Sequence, residues 1–167
     1  MGKKADIAIE FMKKEDLDQI LVIEQASFSM PWSKNLFLSE FRSLNVSTLL
    51  VALADAPGRA VIGYLVYWLI EDELHILNLA VSPLRRRQGT ARKLVLAALK
   101  RGWQKGAKRA FLEVRVSNAA AQKLYLELGF TGISVRRDYY DEPVEDAVIM
   151  TLEQGAFEHV ILQKDVT

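Results

Sequence analysis

The chain has 167 residues, half of them hydrophobic, which predicts a single domain with a sizeable core. Its 22 basic and 21 acidic residues give a formal net charge of +1, so composition provides no general attraction to nucleic acid or to a membrane. The sequence has no cysteine and only two widely separated histidines, His75 and His159. This excludes a disulfide framework and a cysteine nucleophile, and it disfavours a metal centre or a Ser-His hydrolase.

The first part of the chain is predicted to form a strand and two helices. The polar residues 1–6 are not followed by the apolar stretch of a signal peptide. No apolar run approaches the roughly 20 residues of a membrane helix, so we expect a cytoplasmic protein. Alternation predicts a strand over Ile7–Met12, and helical spacing predicts a helix over Asp16–Ser27. Ser33 is suited to cap a second helix that runs to about Ser43.

The middle of the chain is predicted to be an antiparallel meander followed by a long helix. The three strands are placed at Thr48–Ala54, Ala60–Ile70 and Glu73–Val81, and they are separated by turn residues. A basic loop then leads into an amphipathic helix over Gly89–Gln104.

The last part is predicted to contain a strand, a helix and a strand pair, at Arg109–Val116, Asn118–Leu128, Thr131–Asp138 and Val144–Leu152. Gly129 would end the helix, because glycine accepts a left-handed backbone. The tail 153–167 carries apolar residues that could dock as a short helix: Phe157, Val160, Ile161 and Leu162. The order of elements predicts an α/β (α+β) fold on a mixed sheet, with a core over residues 7–152.

A basic loop, Arg85–Arg92, lies between a predicted strand and a predicted helix. Consecutive main-chain N–H groups at a helix start can converge on an anion, helped by the helix dipole and by arginine side chains. Gly89 and Ala91 are small enough for the backbone to approach a pyrophosphate. The alternative is a solvated basic turn. The spacing lacks the Lys-Ser/Thr pair of a nucleotidase loop and the three glycines of a dinucleotide fingerprint, and no interleaved aromatic residue supports nucleic-acid binding.

The motif Arg86-x-x-Gly89-x-Ala91 resembles the pyrophosphate-binding motif of the GNAT superfamily of N-acetyltransferases, with Ala91 where a second glycine is commoner. Further segments resemble the RimI group of that superfamily, whose members acetylate the N-terminal amine of ribosomal proteins: Leu112–Ala121, Leu124–Phe130, Arg136–Tyr140 with Glu145–Met150, and Phe28–Ser33. The four residues Asp141–Val144 between two of these segments form a shorter loop than in some members of the group. The resemblance implies a mixed, mostly antiparallel sheet splayed at an acyl-CoA cleft. It also implies acetyl-CoA as the cosubstrate, with no metal.

Within this resemblance the cofactor contacts are assigned to Leu79, Ala80, Val81, Arg86, Arg87, Gln88, Gly89, Thr90, Ala91, Arg92 and Asn118. The strand residues would act through their main chain, pairing with the amides of the pantetheine arm and polarising the acetyl carbonyl. They could equally form an ordinary buried strand. Asn118 could instead serve only as a helix cap.

Acyl transfer to an amine requires that the ammonium lose a proton and that the departing thiolate gain one. Glu113 is the candidate proton acceptor, acting directly or through water; alternatively it faces solvent or pairs with Arg115. Tyr125 is the candidate donor, because a phenol can protonate a thiolate; alternatively it is a core aromatic. Both roles follow from the RimI resemblance. Since no cysteine can carry the acyl group, we expect direct attack in a ternary complex.

Aromatic residues and a proline are predicted to frame the acceptor peptide: Phe28, Pro31, Trp32, Tyr139 and Tyr140. Ordinary packing is the alternative for them. The expected function is acetylation of the N-terminal α-amine of a small-subunit ribosomal protein that begins with alanine. Acetylation of a lysine or a small amine, and a non-catalytic acyl-CoA sensor, remain as alternatives. We expect neither nucleic acid nor a membrane as a direct partner.

Overall fold

The computed structural model of the protein describes residues 7–164, with side chains described for residues 7–159. Its strands and helices, in chain order, are β1 Ala8–Phe11, α1 Leu17–Ser27, α2 Lys34–Arg42, β2 Ser47–Leu53, β3 Val61–Ile70, β4 Glu73–Val81, α3 Thr90–Gln104, β5 Arg109–Arg115, α4 Ala119–Glu127, β6 Thr131–Asp141, β7 Val144–Glu153 and α5 Gln154–Lys164. This is the predicted order of elements. The main difference is that β6 continues three residues beyond the predicted end, to Asp141.

Over the described residues, seven strands form one sheet in the order β1-β2-β3-β4-β5-β7-β6. The pairs β1–β2, β2–β3, β5–β7 and β6–β7 are antiparallel. Strands β4 and β5 are parallel, with Glu73–Ile76 in register with Arg109–Leu112. The predicted fold class, a mixed and mostly antiparallel sheet with helices, is therefore confirmed. No helix within residues 7–164 combines the length and the apolar character needed to cross a membrane.

The chain divides into two compact units. The first consists of residues 7–68 together with Leu77–Lys100, and its core packs α1 and α2 against the strands. Apolar residues at helical spacing give α1 a buried face that includes Ile20 and Ile23. The ring of Phe37 is fully buried and meets Tyr64 edge to face, with ring centroids 5.6 Å apart.

Arg59 joins three parts of the first unit through charged contacts. Its Nε donates to Asp16 Oδ1 at 2.7 Å, and its Nη1 donates to Glu10 Oε2 at 2.5 Å. Asp16 is only 1% exposed. A carboxylate buried so deeply is tolerated because the guanidinium pairs it on both oxygens, the second at 3.1 Å.

The second unit consists of Leu69–Ile76 and residues 101–164. Strand β5 lies where a strand was predicted, and its burial alternates, with Ala110, Leu112 and Val114 buried on one face. Phe157 of α5 is buried against Trp103, with ring centroids 6.1 Å apart, so this part of the tail docks as a helix. The side chains of Val160, Ile161 and Leu162, which were expected to dock with it, lie outside the described residues.

Candidate active site

The basic loop belongs to the first unit and joins β4 to α3. After a 3-10 turn over Pro83–Arg85, residues 86–89 are exposed. Arg87 and Gly89 both have a left-handed backbone, with φ of 61° and 82°. A Cβ placed on Gly89 would meet no heavy atom within 4 Å, so backbone conformation, and not space, favours glycine there. Left-handed residues within a turn orient successive N–H groups toward one side, which is the main-chain arrangement that binds anions.

The start of α3 adds further donors to this loop. The first main-chain bond of the helix runs from Lys93 N–H to the Gly89 carbonyl, at 3.0 Å. The N–H groups of Thr90, Ala91 and Arg92 therefore have no acceptor within the helix, and they lie at its positive end. The Thr90 hydroxyl is buried and has no hydrogen-bond partner among the described residues. Free main-chain donors and an unpaired hydroxyl at one helix start fit the predicted pyrophosphate of acetyl-CoA.

Arg86 is exposed, and its guanidinium also bonds to two neighbouring elements of the protein. Its Nε donates to the Val81 carbonyl at 3.1 Å, and its Nη2 donates to Ser27 Oγ at 3.2 Å. These bonds brace the loop against the end of β4 and the end of α1. The other side chains predicted to contact the cofactor are placed as follows: Arg87 and Gln88 are exposed and Arg92 is half-buried. Their phosphate contacts stay predictions.

Leu79, Ala80 and Val81 form the end of β4. Ala80 and Val81 are buried, while Leu79 is half-buried. The carbonyl of Val81 already accepts a bond from Arg86, so the main chain there is committed in part to the loop. That bond does not involve the Val81 N–H, and the pairing of Leu79, Ala80 and Val81 with pantetheine stays a prediction.

The residues predicted to frame the acceptor on the N-terminal side lie in the irregular segment between α1 and α2, which we call the 28–33 segment. Ser33 caps α2 as predicted, its Oγ accepting the N–H three residues later at 3.2 Å. The Trp32 ring is half-buried and lies 5.2 Å from the Phe37 ring. Phe28 and Pro31 are exposed, so they are available for contact with a ligand.

Glu113 lies in the second unit, on the face of β5 opposite the buried Leu112 and Val114. Its side chain is 33% exposed, and its Oε1 is 3.8 Å from Arg136 Nη1 of β6. The alternative partner considered from sequence, Arg115, pairs instead with Glu145 at 3.2 Å. The carboxylate is thus open to solvent on one side and faces a guanidinium on the other.

Tyr125 is held by the C-terminal structure of α4. The Phe130 N–H donates to the Tyr125 carbonyl at 3.0 Å, and the Gly129 N–H donates to the Leu126 carbonyl at 3.0 Å. With Gly129 at φ 95°, this is a Schellman motif, in which the residue after the glycine packs on the residue five positions earlier. The rings of Tyr125 and Phe130 accordingly meet edge to face, with centroids 5.6 Å apart. Burial, and then a charge on Tyr140, raise the pKa of the Tyr125 phenol.

Tyr139 and Tyr140 follow a bulge in β6, where Asp138 has φ 49°. The guanidinium carbon of Arg136 lies 5.1 Å from the Tyr139 ring centroid, and that of Arg115 lies 4.1 Å from the Tyr140 ring centroid. Burial raises the pKa of Tyr139, and so does the carboxylate of Glu113, against a lowering effect of Arg136. Burial and then Tyr139 raise the pKa of Tyr140 to about 12. The structure therefore brings Glu113 and the two predicted acceptor tyrosines together in the second unit.

Asn118 acts as the N-cap of α4, its Oδ1 accepting the Ala121 N–H at 3.1 Å. This is the capping alternative considered from sequence, and a cofactor contact by Asn118 stays a prediction. His75 is a β4 strand residue whose Nε2 is 3.0 Å from Glu73 and whose ring stacks on Phe111. Within the described residues, no group of three or more His, Asp or Glu side chains could hold a metal ion.

The sequence predicted no individual role for two charged residues, Arg136 and Glu24, whose contacts the structure shows. Arg136 appeared only as part of a family motif, because its contact with Glu113 depends on the register of β6 on β7, which places Arg136 opposite Ala147. Glu24 belongs to the predicted first helix, and the structure shows its carboxylate buried among apolar residues of α1. The sequence signal for a special role of Glu24 is that a glutamate occupies a helical position otherwise filled by apolar residues.

Comparison with known proteins gives consistent matches. A profile of the Acetyltransferase (GNAT) family matches residues 17–130. The ribosomal protein bS18-alanine N-acetyltransferase of Haemophilus ducreyi is 36% identical over 147 residues, which cover 86% of this chain and 98% of that protein. The enzyme of the same name from Escherichia coli (strain K12) is 34% identical over 148 residues, covering 86% of this chain and 95% of that protein.

Solved structures show the same similarity. The crystal structure of the ribosomal-protein-S18-alanine N-acetyltransferase from Escherichia coli superposes with a TM-score of 0.79 at 32% identity, over 89% of this chain and 94% of that one. Ard1 from Thermoplasma volcanium superposes with a TM-score of 0.80 at 25% identity, over 88% and 97% of the two chains. The similarity therefore extends over nearly the whole length of each relative.

Proposed function

The chain belongs to the acetyltransferase (GNAT) family, and on that premise we propose that it acetylates the N-terminal α-amine of ribosomal protein bS18 where that protein begins with alanine. Membership confirms the predicted enzyme class and acetyl-CoA as the acetyl donor. One observation supports this acceptor: relatives that are 34–36% identical, and matched over nearly their whole length, are named for it. Such an acceptor would place the enzyme in the cytoplasm, where ribosomal proteins are made.

The loop of residues 86–91 would hold the pyrophosphate of acetyl-CoA. Its main-chain donors at the start of α3 need no side-chain rearrangement to meet phosphate oxygens. The Thr90 hydroxyl, which has no partner among the described residues, would gain one. Binding at this loop positions the acetyl group by fixing the far end of the cofactor.

Glu113 would accept the proton of the acceptor ammonium, and Tyr125 would donate a proton to the leaving thiolate. Glu113 suits the first role because its carboxylate is accessible and adjacent to Tyr139. Tyr125 suits the second because a phenol is an O–H donor that is protonated at neutral pH even at its usual pKa near 10. Burial raises the pKa of the Tyr125 phenol further, so it is protonated when the thiolate leaves. The amine then attacks the thioester carbonyl, the C–S bond breaks, and coenzyme A leaves as the thiol.

Acetylation of synthetic peptides tests the acceptor directly. We expect the protein to transfer acetyl from acetyl-CoA to the α-amine of a peptide beginning with alanine, located by fragment mass spectrometry. A matched peptide with a blocked N-terminus and an internal lysine should stay unmodified. Acetyl on the lysine with a free α-amine untouched would contradict the proposal. Binding of acetyl-CoA without release of coenzyme A for any amine would identify a sensor instead.

A further inference from the structure

Glu24 is a buried carboxylate on the face of α1 that otherwise packs into the core. It is 1% exposed, one turn after Ile20 and next to Ile23, which are buried too. Burial raises the pKa of Glu24, as expected for a carboxylate removed from water. A buried carboxylate is unfavourable unless it is hydrogen-bonded, so its bonding partners indicate why it is there.

Two donors from outside α1 share this carboxylate. The Trp32 main-chain N–H donates to Glu24 Oε1 at 2.8 Å. The amide Nδ2 of Asn78 lies 3.2 Å from each Glu24 oxygen. The Tyr64 hydroxyl in turn donates to Asn78 Oδ1 at 3.5 Å. Asn78 immediately precedes Leu79, so one carboxylate joins the 28–33 segment to the part of β4 predicted to contact pantetheine.

We propose that Glu24 is a positioning residue for acceptor binding, which fixes the main chain of the 28–33 segment at Trp32 and ties it to β4 through Asn78. The role rests on the acceptor contacts of Phe28, Pro31 and Trp32 predicted above and belonging to the proposed function. The segment has no regular structure. Packing on Phe37 fixes the Trp32 ring, whereas the bond that the Trp32 N–H donates to Glu24 fixes the main chain that carries the exposed side chains.

The contacts also explain why this position is not hydrophobic. A leucine would match the packing of the neighbouring residues of α1, but it would leave the Trp32 N–H and the Asn78 amide without their acceptor. An unpaired buried donor is costly, and an irregular segment can escape that cost by moving to solvent. The expected consequence of losing Glu24 is therefore a displaced 28–33 segment in an otherwise folded protein.

Steady-state kinetics of Glu24→Gln test this role with a peptide that begins with alanine. The neutral amide weakens the bond to Trp32 and faces the Asn78 amide with a second donor. We expect the KM for the peptide to rise about ten-fold, while the KM for acetyl-CoA changes by less than about two-fold. Glu40→Gln is the matched control: Glu40 is 6% exposed and accepts the Trp68 indole N–H at 2.7 Å, away from the segment. It should leave the peptide KM unchanged.

A second variant exchanges the two groups, with Glu24→Gln and Asn78→Asp in one chain. In it the glutamine oxygen accepts from Trp32, the glutamine amide donates to the aspartate, and the aspartate also keeps an acceptor for the Tyr64 hydroxyl. We expect the peptide KM to return to within about three-fold of the wild-type value. If Glu24→Gln alone does not fold, the exchange variant tests the role of Glu24 in its place. A ten-fold rise in the exchange variant would overturn the role of Glu24.

The remaining outcomes separate the two proposals. If the wild-type chain acetylates no α-amine, the proposed function fails, whatever the variants do. Two results with an active wild-type chain would show that Glu24 has a general structural role and that the positioning role is wrong. In the first, Glu24→Gln raises the KM for the peptide and the KM for acetyl-CoA equally. In the second, Glu24→Gln leaves both KM values unchanged and lowers kcat together with Tm. The same follows if Glu40→Gln raises the peptide KM as much as Glu24→Gln does.

Discussion

Replacing Gly89 with alanine tests whether the left-handed backbone of the loop is what binds the pyrophosphate. Gly89 has φ 82°, and an added Cβ would meet no heavy atom within 4 Å, so the substitution changes only the conformational preference of the backbone. A non-glycine residue in this region costs about 1–2 kcal/mol. The free loop is exposed and can relax to avoid that cost, whereas the bound loop cannot. The cost should therefore appear as lost affinity for acetyl-CoA, about 5–30-fold in Kd.

Gly58→Ala is a matched control for this substitution. Gly58 also has φ 82° with no heavy atom within 4 Å of an added Cβ, and it lies in the turn between β2 and β3. The bond from the Ala54 N–H to the Ala60 carbonyl, at 3.0 Å, closes this turn and limits its relaxation. The same strain there should therefore lower Tm by about 2–8 °C and leave the Kd for acetyl-CoA unchanged. Isothermal titration calorimetry gives the Kd, and thermal unfolding gives Tm. If Gly89→Ala binds acetyl-CoA as tightly as wild type and only loses stability, the backbone of this loop does not hold the cofactor.

Two further predictions concern proton transfer. Glu113→Gln should lower kcat by about 10²–10⁴-fold with the Kd for acetyl-CoA retained. Arg136→Gln, which removes the ion-pair partner but keeps the carboxylate, should lower kcat far less, and equal losses in the two variants would refute the role of Glu113 as proton acceptor. Because the pKa of Tyr125 is raised above its usual value near 10, its phenol stays protonated through neutral and moderately basic pH. The kcat–pH profile should therefore show no Tyr125-dependent decline below about pH 10; a decline there that Tyr125→Phe abolishes would contradict it.

Local signals in the sequence determine most of the fold. Ser33 predicted a helix start and Gly129 predicted a helix end, and both positions act through bonds within a few residues of themselves. Strand periodicity predicted β5 over Arg109–Val116, and the structure has it at Arg109–Arg115. These features were predictable because a cap, a left-handed glycine and a two-residue period depend on neighbours in the chain.

Contacts between distant residues were less accessible. The sequence suggested Arg115 as the partner of Glu113, because residues two positions apart on a strand lie on the same face. In the structure Arg115 instead pairs with Glu145 of the neighbouring strand β7. Arg136 became the partner of Glu113 through a register that no local pattern encodes. Glu24 likewise depends on Asn78, which lies 54 positions later in the chain.

The spacing of the Leu124-Tyr125-x-x-x-Gly129-Phe130 segment has a physical basis in the structure. A left-handed residue four positions after Tyr125 lets the chain fold back, and only then can the next N–H reach the Tyr125 carbonyl. The same turn brings the Phe130 ring against the tyrosine, and burial raises the pKa of the phenol. Moving Gly129 by one residue would therefore misplace the phenol and also expose it. The motif that predicts a proton donor from the sequence is thus the helix-ending structure that buries the predicted donor.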